Sequence, residues 1–206
     1  MSFSKTFIDI INHINSKGIE SQPRDLKVRE VSLADFDIDP KYPIADFPSR
    51  KFNWKYLAGE LAWYLHRDSD VDYISKYSGM WSTLTNPGTN EVNSNYGYQW
   101  QRRDQLDKVV NALRKNPSSR QAAISIYDGK EIHRYGHDTP CTYAVQFSII
   151  DNKLCMSVYM RSNDLWYGFC NDQYQFASLQ KMVADMLSID VGWYYHHAHN
   201  MHLYNN

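Results

Sequence analysis

Residues 142–161 read TYAVQFSIIDNKLCMSVYMR, two runs rich in β-branched, aromatic and aliphatic side chains on either side of Asp151-Asn152. Asp and Asn tolerate the left-handed backbone of a two-residue turn, so 142–150 and 153–161 are predicted to pair as an antiparallel hairpin. Upstream, QAAISIY at 121–127 reads as a third strand; downstream, VGWYYHHAHNMHLY at 191–204 reads as a last one. Between the hairpin and that last strand, Phe176, Leu179, Met182, Val183, Met186 and Leu187 recur at helical spacing and predict a long buried helix. Leu106, Val109, Val110 and Leu113 predict an amphipathic helix that Asn116-Pro117 ends. Two more helices follow from Phe3, Phe7, Ile10, Ile11 and Ile14, stopped by Gly18, and from Leu57, Leu61, Tyr64 and Leu65. SQPRDLKVREVS at 21–32 reads as a loop entering a strand, with Arg24 and Arg29 exposed, and 80–100 as one long loop of the kind that lines sites. Strands interleaved with helices around an antiparallel hairpin specify an α+β fold, a mixed β-sheet with flanking helices. Nothing resembling a repeat or linker breaks this order, so 1–206 is expected to be one domain.

Composition narrows the function classes. Lys and Arg total 22 against 23 Asp and Glu, a formal net charge of −1, so no overall basic field draws long polyanions and direct nucleic-acid binding is not expected. The first eighteen residues carry Asp9 and a broken apolar run, which predicts neither a signal peptide nor a membrane span. Cys141, Cys155 and Cys170 are an odd set without Cys-x-x-Cys spacing, fitting a reducing compartment and no thiolate metal site.

Several residues could carry chemistry. Cys141 follows Pro140 at the mouth of a strand, where a thiol faces a cleft more readily than mid-strand Cys155 does. It reads as a nucleophile if a cation lowers its pKa, and otherwise as a small buried hydrophobe. Arg161, at the end of the hairpin, could supply that cation; with Ser162 it also suits phosphate oxygens, as does Arg120, and each could equally form a surface ion pair. Glu60 sits beside an apolar helical stripe, where a carboxylate is costly unless paired or used. His196, His197, His199 and His202 invite a metal reading, but on a strand 197 and 199 face away from 196 and 202, so no metal is expected.

SNYGYQW at 94–100, NPSSR at 116–120, DTPCTYAVQF at 138–147, MRSNDLWYGF at 160–169 and HLYNN at 202–206 together resemble the thymidylate synthase superfamily over nearly the whole chain. NSNYG, MRSND and the GFxND of 168–172 are most similar to its bacteriophage deoxycytidylate hydroxymethylase branch. The resemblance implies a sheet-to-sheet homodimer with shared sites, dCMP and 5,10-methylenetetrahydrofolate as substrates, and the cytoplasm of an infected host as location. By the same resemblance Cys141 is the nucleophile, Glu60 a general acid/base, and Arg24, Arg161 and Ser162 hold phosphate, joined by Arg120 reaching across to the partner. His202 and Tyr204 are implied at the sugar hydroxyl, and Trp81, Tyr96 and Asp164 at the folate and catalytic pocket. Thr142 departs from the His that commonly follows the nucleophile, Gln121 from a second phosphate arginine, and the family's folate-closing tail would lie beyond Asn206.

Asp172 stands where thymidylate synthases are implied to have Asn. Uracil offers a protonated N3 and a carbonyl at position 4; cytosine offers an unprotonated N3 and an amine, so an acid suits cytosine. The competing reading is a helix N-cap, since a helix is expected to start there. The leading expectation is hydroxymethylation of dCMP. Reductive methylation of dCMP or CMP, and a non-catalytic nucleotide-binding homologue, are the alternatives.

Overall fold

The computed structural model describes residues 3–44, 50 and 53–205; Met1, Ser2, Asn206 and the Phe3 side chain, all within quoted stretches, lie outside it. The predicted hairpin is the centre of the molecule. β4 (Thr142–Ile150) and β5 (Lys153–Met160) pair antiparallel, and Asp151 and Asn152 turn between them at φ 51° and 57°. β3 (Ala123–Ser125) adds to β4, but over three residues rather than the expected seven. It stops because the amides of Ile126 and Tyr127 both turn onto the Tyr143 carbonyl, which ends the ladder.

The last strand, β7 (Asp190–Tyr204), runs parallel to β5 and antiparallel to β2 (Val28–Ile38), which also pairs with β1 (Ile19–Ser21). The sheet therefore runs β1-β2-β7-β5-β4-β3, with the two-residue β6 (Asn163–Asp164) attached to β7. The parallel pairings of β7 with β5 and with β6, among antiparallel ones, make the sheet mixed, as expected from the hairpin and the helical crossover. That crossover is α6 (Gly168–Leu187).

One sheet face buries Ile124, Val145, Phe147, Met156, Val158, Tyr194 and His196 against the helices. Register places Asp35, Gln146, Ser157, Tyr159, Tyr195 and His197 on the other face, where all are exposed or half-buried. α1 (Phe3–Lys17) buries Phe7, Ile10 and Ile14 as its spacing requires. α5 (Gln105–Lys115) buries Leu106, Val109, Val110 and Leu113, and its C-cap Asn116, preceding Pro117, is extended.

Three local expectations fail for packing reasons. In α2 (Trp54–His66), Leu57, Glu60, Trp63 and Tyr64 form the buried stripe, leaving Leu65 exposed and Leu61 half-buried. Met186 of α6 is likewise exposed, because Val183 and Ala184 take the inward positions of the last turn. Residues 80–100 are not one loop: they contain α3 (Met80–Thr83) and α4 (Tyr96–Gln101), the latter N-capped by Asn95 accepting from the Tyr98 amide at 2.8 Å. α4 lies so close to α2 that a Cβ on Gly97 would collide with the Tyr64 carbonyl, so only glycine permits this approach. No helix among the described residues is long and apolar enough to cross a membrane.

Candidate active site

The ends of these elements surround a cavity of about 800 Å³. α2 contributes Tyr56, Glu60 and Tyr64; α3, Trp81; α4, Tyr96; and α6, Asp172. Cys141 lies just before β4, Arg161 just after β5, and Asn200, His202 and Tyr204 on the end of β7. Arg24, in a 3-10 turn at 23–25 with φ 53°, closes one side. Every residue singled out for the nucleotide and folate, Ser162 and Asp164 included, thus lines one cavity, with the exception of Arg120, which is exposed elsewhere on the chain. The neighbouring histidines separate as strand geometry requires: His196 is fully buried, whereas His197 pairs with Asp35 on the opposite face.

The cation expected beside Cys141 is present. Arg161 donates from Nε to the Pro140 carbonyl and from Nη2 to that of Thr139, and this holds Nη2 3.7 Å from the Cys141 Sγ. Burial nevertheless outweighs Arg161, with Asp172 and Asp138 adding repulsion, and pushes the thiol up to about 11. Without ligand Cys141 is therefore a thiol. Asp138 also ties the loop before Cys141 to the stretch before Tyr96, accepting from the amides of Asn93 at 2.6 Å and Ser94 at 2.8 Å.

Glu60 is buried and made tolerable by donors. Tyr56 donates to its Oε1 at 2.6 Å and Gln175 to its Oε2 at 3.0 Å, while the nearby Tyr64 hydroxyl also favours the ionised form. Burial still wins over these and raises the carboxyl to about 7. Trp81, expected at the folate wall, gives its indole N–H to the Tyr56 oxygen at 3.0 Å.

Asp172 is the fifth residue of α6, not its cap. The helix begins at Gly168, and the carboxylate at its entrance is Asp164, which accepts from the amides of Trp166 and Tyr167 leading into it at 3.0 and 3.1 Å and from that of Gly168 at 3.4 Å. The capping alternative for Asp172 is thereby overturned. Burial, and then repulsion from Glu60, raise Asp172 to about 8, against a lowering hydrogen bond from Asn163.

That hydrogen bond belongs to a directional chain. Asn163 Nδ2 donates to Asp172 Oδ2 at 2.8 Å, and Asn163 Oδ1 meets His196 Nε2 at 3.2 Å; His196 Nδ1 meets the Tyr194 hydroxyl at 2.8 Å. Burial lowers His196 to about 3, so the ring is neutral. An amide oxygen only accepts, so His196 carries its proton on Nε2 and Tyr194 donates to Nδ1. Every donor in the chain then points toward Asp172, and Asn163 keeps its nitrogen on that carboxyl.

Next to Asn163 in the sequence, Ser162 donates to Asn200 Oδ1 at 3.5 Å, and His202 Nδ1 lies 2.9 Å from the same oxygen. Burial lowers His202, which keeps it neutral. Asn200, Asn163, Tyr56 and Gln175 were not singled out from sequence. Two of them had a readable signal: Tyr56 stands one helical turn before Glu60, and Gln175 nearly one turn after Asp172.

Comparison with known proteins adds the last observation. The thymidylate synthase family model matches residues 5–206. The chain belongs to the thymidylate synthase family. Thermostable thymidylate synthase A from Bacillus subtilis superposes with a TM-score of 0.84 at 25% identity, covering 99% of this chain and 80% of that one. Membership carries folate-dependent one-carbon transfer to C5 of a pyrimidine nucleotide, and the mixed sheet with flanking helices is that of a thymidylate synthase.

The paired acids of this thymidylate synthase-family site have a measurable consequence. Glu60 and Asp172 both have folded pKa values raised above those of the unfolded chain, so their contribution to stability is complete below about pH 4 and is lost as pH rises toward 8. Denaturant titrations of the ligand-free protein should show stability falling across that interval. In Glu60→Gln/Asp172→Asn the fall should flatten; an unchanged slope would contradict the burial of these acids.

Proposed function

We propose that the chain converts dCMP to 5-hydroxymethyl-dCMP with methylenetetrahydrofolate. The observation that carries the choice of cytosine is the oriented acid at Asp172, while the choice of a hydroxymethyl product rests on the likeness of NSNYG, MRSND and GFxND to the hydroxymethylase branch. With Oδ2 held as an acceptor by Asn163, the protonated acid presents a donor from Oδ1 and an acceptor from Oδ2. Cytosine presents the matching acceptor at N3 and donor at its amine. Uracil presents the reverse, and pairing it would leave buried polar groups unmatched, a cost of roughly 1–3 kcal/mol for each group.

In this reading Cys141 Sγ adds to C6 of the base while its proton leaves to solvent or a neighbouring base. Asp172 gives its proton to N3 as charge builds on the ring, and C5 becomes the nucleophile. Glu60 handles the proton that must later leave C5. Arg24, Ser162 and Arg161 hold the phosphate, Arg161 through Nη1 because Nε and Nη2 are committed to carbonyls. His202 and Tyr204 meet the sugar hydroxyl, with Asn200 orienting His202.

The exposed or half-buried aromatic and aliphatic side chains of Met80, Leu84, Tyr127 and Tyr167 around Trp81 fit a flat co-substrate. That co-substrate supplies the one-carbon unit. Water quenching leaves a hydroxymethyl group and tetrahydrofolate, whereas hydride transfer leaves a methyl group and dihydrofolate. The uncovered sheet face, with Tyr159, Tyr195 and His197 on it, supports pairing with a second copy whose Arg120 completes the phosphate grip.

Mass spectrometry of the nucleotide after incubation with dCMP and methylenetetrahydrofolate tests the proposal. A product heavier than dCMP by one formaldehyde unit is expected. A gain of one methylene unit with dihydrofolate absorbance would mean reductive methylation, and turnover of dUMP alone would refute the role given to Asp172.

A further inference from the structure

Tyr56 is not among the residues assigned a role in the reaction, yet it stands between two that are. Its hydroxyl lies 3.0 Å from the Trp81 indole nitrogen and 2.6 Å from Glu60 Oε1. An indole N–H only donates, so the Tyr56 oxygen must accept from it, and the single Tyr56 proton is left to point at Glu60. The direction is imposed by Trp81 rather than chosen by the hydroxyl.

The carboxyl of Glu60 offers about four lone-pair positions. Tyr56 donates to Oε1 and Gln175 to Oε2, while the Tyr64 hydroxyl also favours the ionised form. Lone-pair capacity remains for the proton of the acid form, and Glu60 lines the cavity. We propose that Tyr56 is a positioning residue: locked as a donor by Trp81, it holds its proton on Glu60 Oε1, leaves the remaining lone pairs of that carboxyl for the substrate side and ties it to the aromatic wall of the cavity. Glu60 then exchanges its proton on the cavity side, and displacement of Trp81 is transmitted to Glu60 through one hydroxyl. The inference deepens the reading of Glu60 as the proton-handling group, and it holds for a cytosine or a uracil substrate.

The groups facing Glu60 fix the sign of the expected change. From its own helix these are Tyr56 and Tyr64, from α6 Gln175 and Asp172, and from α4 Tyr96 across Tyr64. Only donors hold the ionised form, and Asp172 disfavours it. Removing the Tyr56 hydroxyl therefore raises the Glu60 pKa.

The test is a carbon-13 NMR titration of the full-length protein with labelled glutamate, Glu60 being assigned from Glu60→Gln. In Tyr56→Phe the Glu60 midpoint should move up by about one pH unit, the effect of one hydrogen bond to a charged group. Trp81→Phe alone, which leaves α2 untouched, should move it in the same direction by less; added to Tyr56→Phe it should move it no further. An unmoved midpoint in Tyr56→Phe, or a Trp81→Phe shift that persists without the Tyr56 hydroxyl, overturns the proposal. The pH–rate profile gives an independent reading with dCMP and with dUMP: its Glu60 limb should shift alkaline on whichever nucleotide turns over. Turnover of dUMP alone would refute the cytosine assignment and leave the Tyr56 result to be judged by the limb.

Discussion

In Asp172→Asn, turnover of dCMP falls on the order of 10³-fold, and the loss lies in kcat rather than KM. Asn163 keeps its nitrogen on residue 172 because His196 holds the other end of the amide. The introduced side-chain amide is thereby forced to put its oxygen where Oδ2 now sits, keeping a donor and an acceptor in the same order. Cytosine still meets a matching edge and still binds. What disappears is a proton that can be transferred to N3, since an amide donates a hydrogen bond without giving up the hydrogen. Turnover of dUMP does not rise, because the order of donor and acceptor remains wrong for uracil. The ratio of kcat/KM for dCMP to that for dUMP collapses from one side only. Steady-state kinetics with both nucleotides decide the matter; retained dCMP kcat would remove Asp172 from the chemistry.

The second large effect is expected at the thiol. Cys141→Ser should lower turnover by on the order of 10⁴-fold or more, and should also abolish exchange of the C5 hydrogen of dCMP with solvent in the absence of folate. Exchange isolates the first covalent step from everything the co-substrate does. Neither other cysteine can replace Cys141. Cys155 and Cys170 are buried, and burial, with repulsion from Asp164 and Asp172 added and against the pull of Arg50, raises the Cys170 thiol to about 12. Exchange surviving in the serine variant would exclude Cys141 as the nucleophile. Arg161 does not overcome burial in the free protein, so in the proposed reaction the thiol loses its proton as it adds to the base.

The hairpin at 142–160 was legible because its signals are local: two apolar runs and an Asp-Asn turn agree with each other and need no distant partner. The same holds for the α5 stripe and its proline stop. Leu65 and Met186 were misread because a helical period names a face without saying how wide the buried sector is; that width depends on which neighbours arrive. The short helix after Asn95 was hidden in a polar stretch since its stability comes from packing on α2 at Gly97 rather than from its own periodicity.

Local sequence, with family likeness, picked out the side chains that meet in the cavity: a thiol after proline, an arginine closing the hairpin, carboxyls at 60 and 172. Only the tertiary structure decided what those groups are. Asp172 is an acid held near neutrality, and not a helix cap, because α6 begins four residues earlier and Glu60 arrives from α2. Its polarity is set by His196, a residue twenty-four positions away on a strand, through an amide on another. Protonation and hydrogen-bond direction depend on solvent exclusion and on through-space neighbours, and neither quantity is defined until distant segments of the chain have met.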